Sequence, residues 1–295
     1  MNNQAARSDL ALFLLCVAIW GSTWIAITFQ LGQVEPEASV FYRFLLASIL
    51  LFAWCRLRGL KLRFGARQHL ALALQGTLLF GVSYMFVYHA ETLVVSGLVA
   101  LGFSATPLVN MLGAKLAFGT PMSRRVGFGA VLGTVGILFV FAPEIAAVAG
   151  DDRTLRGACY TALAVLTSAA GSLAASRNAR IGITVQQAMA WGMLYGAACS
   201  LLVILFSGKP LAFEWSVPYL ASLLYLAVFG SVVTFAAYLT LLHRIGPART
   251  GYIGVAVPVV ALVISGLFEG FAWRWETGVG VVLAIAGNVI ILRRA

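Results

Sequence analysis

The chain has 295 residues, 61% of them hydrophobic and only 10% charged, with a formal net charge of +10. A soluble domain carries about 25% charge, so this chain has too little to cover a water-exposed surface and reads as an integral membrane protein. Its basic balance does not mark a nucleic-acid binder, which would need a soluble basic face.

At about 20 residues per crossing, the apolar runs predict an all-α membrane protein of ten transmembrane helices. Helix 1, over 9–31, follows a lone Arg7 and is too long and too Trp-rich for a signal peptide. In its middle Trp20, Thr23 and Trp24 share a face, since residues three and four apart are neighbours on a helix. They form either an aromatic wall for a substrate or a packing surface beside Gly21. Helix 2, over 36–56, carries Arg43 two turns in, a clear intramembrane charge. Such a residue is costly and is a functional candidate by default. Three readings stay open: it attracts a substrate carboxylate, pairs with Glu35 or Glu37, or snorkels to the nearby surface.

Helix 3, over 68–89, places Thr77, Gly81, Tyr84, Tyr88 and Glu91 at spacings of three and four, a polar stripe on an apolar helix. Tyrosine offers a ring and a hydroxyl, which suits a ligand of mixed polarity. His89 stands off the stripe near the helix end, as a candidate charge partner or a satisfied interfacial residue. Helix 4, over 93–116, carries Thr106, Pro107 and Asn110; helix 5 follows at 123–142. Helices 6 and 7 span 155–176 and 184–207. Helix 8, over 216–241, repeats a weaker stripe of Ser231, Thr234 and Tyr238. Helix 9, over 247–268, adds Tyr252, Pro258 and Ser265, and helix 10 runs over 273–292.

An even number of crossings puts both termini on one side. With that side cytoplasmic, fifteen Lys/Arg fall inside and four outside, Arg43 being the twentieth, while nine of ten acidic residues fall outside. The positive-inside rule therefore expects cytoplasmic termini.

Shifting the chain by 151 lays Pro107 on Pro258 and Gly119, Gly127, Gly129 and Gly136 on Gly270, Gly278, Gly280 and Gly287. The chain thus reads as two halves, 1–150 and 151–295, of five helices each. Five is odd, so the halves enter the membrane from opposite sides, a 5+5 inverted repeat. In such carriers interrupted helices line a midplane cavity, and the matched prolines point to helices that bend there. The alternative is an ordinary proline kink satisfied by neighbouring helices.

"WGSTW" in helix 1, the mid-helix prolines of helices 4 and 9, and the endings "VLGTVGIL" and "GVVLAIAGNVIIL" resemble the drug/metabolite transporter superfamily, in particular its ten-helix EamA-domain exporters. Within that family the chain looks like the YddG-like amino-acid exporters. The resemblance covers the whole chain. It implies a carrier working by alternating access in the inner membrane. The family often carries a Glu at the ends of helices 4 and 9; here Glu269 holds the second place, and the first has Lys115 nearby and no Glu.

No span has an acid near its middle, and there is no Walker-type loop and no nucleophile–base pair. The chain is therefore read as a non-enzyme that needs no cofactor. The four cysteines lack metal-ligand spacing, and no metal is expected. The reading is export of amino acids or related small metabolites through a central cavity, without obligatory proton coupling. The alternatives are efflux of amphipathic drugs or, outside transport, a membrane-embedded receptor or enzyme. The expected partners are the small-molecule substrate and the bilayer, with the protein as a monomer.

Overall fold

The computed structural model describes residues 3–119, 124–147 and 152–292; the connections at 120–123 and 148–151, with the expected boundary between halves, lie outside these described residues. The described residues are helical and contain no strand. In hydrocarbon only helices or closed barrels satisfy every backbone group, and long Leu, Val, Ala and Phe runs without strand alternation select helices.

Seven helices are long and apolar enough to cross a membrane. They are α1 (Asn3–Thr28), α2 (Pro36–Leu57), α3 (Ala66–Glu91), α4 (Ser96–Ala117), α6 (Arg153–Arg180), α7 (Val185–Phe206) and α8 (Val217–Leu242). Three further helices with shorter apolar segments accompany them: α5 (Arg124–Ala147, apolar over Gly127–Phe141), α9 (Ile253–Phe268) and α10 (Trp275–Leu292).

Helix starts follow local chemistry. Pro36 opens α2 and Pro218 opens α8, each in the first turn where its missing N–H costs nothing. Thr184 accepts the backbone N–H of Gln187, while the Gln187 side chain takes the N–H of Thr184, a reciprocal cap for α7. The expected start of helix 9 at 247 is corrected. Helix continues beyond α8 as far as Thr250, across a break at Gly246 (φ +80°) that only glycine adopts without strain, and α9 begins at Ile253.

Two helices contain stretches of π-helix, Thr77–Val82 in α3 and Tyr225–Val233 in α8. The offset of 151 carries the first onto 228–233, inside the second. A π turn holds an extra residue, so it rotates everything beyond it around the helix axis. The stripe expected on helix 3 is broken for this reason. Gly81 faces α7 at Gly196 and Cys199, whereas Tyr84 and Tyr88 face α2 and the end of α1.

The two prolines behave differently. In α4 the α-helix ends at Gly102, a 3-10 turn covers Phe103–Ala105, and a new α-helix starts at Thr106, so Pro107 sits in a first turn. Pro258 lies inside continuous helix in α9. The sequence pair is matched, but among the described residues only the first proline marks a break.

Lipid gives no hydrophobic drive for one helix to leave it for another, so close packing must hold the bundle. α5 and α10 meet along glycines. A Cβ on Gly129 would stand 2.7 Å from the Gly287 carbonyl oxygen, and one on Gly136 would stand 2.5 Å from that of Gly280. Elsewhere α2 lies along α7, α1 packs on α8 and α9, and α6 packs on α3 and α4.

Candidate functional site

Arg43 is 3% exposed, deep between helices. Its guanidinium carbon stands 4.7 Å from the centre of the Tyr84 ring and 5.1 Å from that of Phe44. Those two rings meet edge to face at 4.7 Å, so they brace each other beneath the cation. Nε and Nη1 are buried and have no hydrogen-bond partner.

Two of the three sequence readings of Arg43 are corrected. It does not snorkel, and neither Glu35 nor Glu37 pairs with it. His89 Nε2 lies 3.0 Å from Glu37, and Lys209 Nζ lies 2.9 Å from Glu35 and 3.4 Å from Glu37. The reason is depth. Lys209, in the connection before α8, and His89, at the end of α3, reach the carboxylates at the start of α2. Arg43 lies two turns further in, folded over Tyr84. The hydrogen bond to Glu35 is the main cause that raises the Lys209 ammonium above its usual range, with Glu37 adding to it.

Other candidates gather around the same point. In α8, a Cβ on Gly230 would lie 2.9 Å from the Thr23 methyl and 3.9 Å from Arg43 Nη2. Trp20 Nε1 donates to the Gly230 carbonyl at 3.1 Å, and Thr23 donates back to Trp20 O at 2.8 Å. The Trp20 ring meets Phe235 at 5.1 Å and Tyr238 at 5.4 Å. Trp24 leans on Phe103, the first residue of the 3-10 turn in α4, at 5.2 Å. Helices α1, α2, α3 and α8 thus bring Trp20, Thr23, Arg43 and Tyr84 to one place.

Tyr88 is fully buried and donates to Gln30 Oε1 at 2.7 Å, so it is a fixed strut rather than a free lining hydroxyl. Glu91, 7% exposed, has both carboxylate oxygens without a partner and lies within electrostatic range of Arg43 and Glu269. Gln30 Nε2 is likewise unpartnered. A buried polar atom without a partner costs roughly 1–3 kcal/mol, and five of the nine such side-chain atoms found among the described residues belong to Gln30, Arg43 and Glu91.

Glu269 has a different position. It accepts the backbone N–H of Ser96 at 3.1 Å and its hydroxyl at 2.6 Å, and Ser265 also donates to it. The Gly97 N–H donates to Ser265 Oγ at 2.8 Å. The end of α9 therefore caps the start of α4, where a carboxylate meets the positive end of the helix. Tyr252 precedes α9 and Ser265 nears its end, about 20 Å apart at 1.5 Å per residue, too far for one small ligand. Thr106 and Asn110 share a face of α4, with Thr106 Oγ1 and Asn110 Oδ1 buried and unpartnered.

Sequence reasoning missed Gln30, Phe235 and Phe103, as well as the bond between Ser22 and Tyr225 at 2.7 Å. Gln30 was visible as an amide at the end of an apolar helix; the rest meet only through tertiary packing. Among the described residues no group of three His, Cys, Asp or Glu could hold a metal ion.

The model of the EamA-like transporter family matches residues 8–142 and 155–293. The chain is 31% identical over 263 residues to "Uncharacterized inner membrane transporter YedA" of Escherichia coli K12, covering 86% of this chain and 80% of that protein. It is 26% identical to "Protein PecM" of Dickeya dadantii, over 96% of this chain and 91% of that one. "Uncharacterized transporter YoaV" of Bacillus subtilis is 24% identical, with 84% of each covered. A crystal structure with 17% identity superposes at a TM-score of 0.69, covering 98% of this chain and 99% of its own. That likeness concerns the fold.

Proposed function

The chain belongs to the EamA-like transporter family, and from that premise we propose that it is an inner-membrane secondary carrier exporting amino acids or related small carboxylates by alternating access. The observation that carries the substrate class is Arg43, buried over Tyr84 with two donor nitrogens unpartnered. A substrate carboxylate would supply the acceptors those donors lack, and Trp20, Tyr84, Phe235 and Tyr238 offer apolar surface to a variable side chain. The chain works as a carrier rather than an enzyme.

The arrangement as ten crossings in two inverted halves draws support from the packing. Under the 151 shift, the contact of Gly129 with Gly287 becomes that of Gly280 with Gly136, and both pairs occur. The Trp20–Gly230 contact becomes Gly171–Leu79, also present. Such reciprocal pairs are the mark of a two-fold relation. Both termini are then cytoplasmic. The ion pairs of Lys209 and the Tyr88–Gln30 strut tie the connection before α8, the start of α2, the end of α1 and α3 together.

Purified protein in liposomes, loaded with unlabelled amino acid, should show saturable counterflow of radiolabelled amino acids that persists when the pH gradient is collapsed. Decarboxylated amines of equal size should compete poorly. Movement of amphipathic drugs with no amino-acid counterflow would overturn the substrate class.

A further inference from the structure

A second site lies at the other end of α2, away from Arg43. The connection 56–67, "RLRGLKLRFGAR", holds five cations and no acid. Side chains of α7 pin its backbone: Gln187 Nε2 donates to Lys61 O at 2.6 Å and Trp191 Nε1 to Leu62 O at 3.1 Å. Around these anchors the residues alternate. Leu60, Leu62 and Phe64 pack inward against buried side chains, while Lys61 and Arg63 are exposed, as are Arg56, Arg58 and Arg67. This strap presents its cations from a fixed backbone rather than a loose tail.

Beside the strap a cleft of about 470 Å³ opens between α1, α2, α7 and α8. Leu15, Leu51, Met189 and Phe235 give it apolar walls, and Trp54 and Arg58 belong to both the cleft and the edge of the strap. The Arg58 guanidinium carbon lies 5.1 Å from the centre of the Trp54 ring. Leu15 and Trp54 are exposed, so the cleft opens at the surface of the bundle.

We infer that the cleft and the strap together form a binding site for one anionic phospholipid. An acyl chain fills the apolar cleft and the phosphate sits against Arg58, Lys61 and Arg63. Charge complementarity selects the occupant. A zwitterionic lipid fills the cleft equally well but gains less from the surplus cations, because its own ammonium offsets its phosphate, and an amino acid has no chain to fill it. The lipid site is inferred without the substrate reading, although the two sites share Phe235, which lines the cleft and packs its ring on Trp20.

The test is native mass spectrometry of the full chain titrated with phosphatidylglycerol or with phosphatidylcholine of identical tails. A cation near an anionic headgroup is worth about a fivefold factor, so the wild type should bind phosphatidylglycerol at least about fivefold better. Arg58→Gln with Lys61→Gln and Arg63→Gln should bring the two lipids near parity, and Ala236→Trp, which fills the cleft, should remove the bound lipid with the charges intact. Equal binding by the wild type overturns the site. So does a preference that survives Ala236→Trp, because the strap then acts only through surface potential. A second measurement does not depend on how that variant folds. Phosphatidylglycerol with brominated tails should quench fluorescence more in the wild type than in Trp54→Phe, and equal quenching overturns the site.

Discussion

Replacing Arg43 by methionine should move stability and transport in opposite directions. Methionine keeps the length and packing of the arginine stem against Phe44 and Tyr84 while removing the charge. In the resting protein the guanidinium has two buried donors unpartnered. Removing buried donors that lack partners relieves a penalty of about 1–3 kcal/mol. The substitution also abolishes the cation–π attraction, worth about 2 kcal/mol when desolvated, so the net effect on folding should lie between neutral and modestly stabilising. Substrate recognition should change the other way. Charge-assisted hydrogen bonds to a carboxylate are worth about 1.5–3 kcal/mol, or about 10- to 150-fold in apparent affinity. The assay pairs thermal unfolding in detergent, read from soluble folded protein, with counterflow kinetics in liposomes of matched protein content. Wild-type KM in Arg43→Met would refute the carboxylate role. A Tm lowered by many degrees would show instead that the cation holds the fold together.

Other expectations follow from the packing and the charges. Gly136→Ala should destabilise by roughly 1–3 kcal/mol, because its Cβ would meet backbone at 2.5 Å, whereas Gly133→Ala meets nothing within 4 Å and should unfold like the wild type. Glu269→Ala should cost about 0.5–2 kcal/mol of stability, read by thermal unfolding, through loss of the cap on α4. Lys209→Gln tests the outer ion pairs by pH. The Lys209 pKa is raised in the folded chain from 10.5, so its contribution is fully present below that value and lost as pH rises through the raised one. Wild type and variant should differ in Tm near neutral pH and converge once the pH has passed the raised value; a constant gap would mean the ammonium charge is not the cause.

Membrane class and helix positions were legible because bilayer burial is written in composition and run length. Leu, Val and Ala runs fix α2 and α7 within one or two residues of the expected spans. Face assignments were less legible. A 3.6-residue period put Thr77, Gly81 and Tyr84 on one stripe, but the π stretch at Thr77–Val82 turns Gly81 toward α7 and Tyr84 toward Arg43. Nothing in "TLLFGV" announces that turn, because its extra residue is accommodated by a neighbouring helix. From sequence Pro107 stands in a helix interior, and the 3-10 turn before it converts that interior into a helix start. Arg43 was legible as a candidate, but its neighbours were not. Gln30, Gly230 and Phe235 come from different stretches of sequence and meet their partners only when α1, α3 and α8 pack together.

The glycine seam between α5 and α10 limits how this chain can change. At Gly129, Gly136, Gly280 and Gly287, the atoms that an added methyl group would meet include backbone oxygen of the facing helix. A clash against a side chain can be relieved by trimming that side chain, but a carbonyl cannot be trimmed, and the facing residue at each position is already glycine. Random mutagenesis should therefore recover few second-site suppressors inside the seam. Restoring substitutions for Gly136→Ala should instead map to residues that let the two helices separate as rigid bodies, outside the pairs themselves.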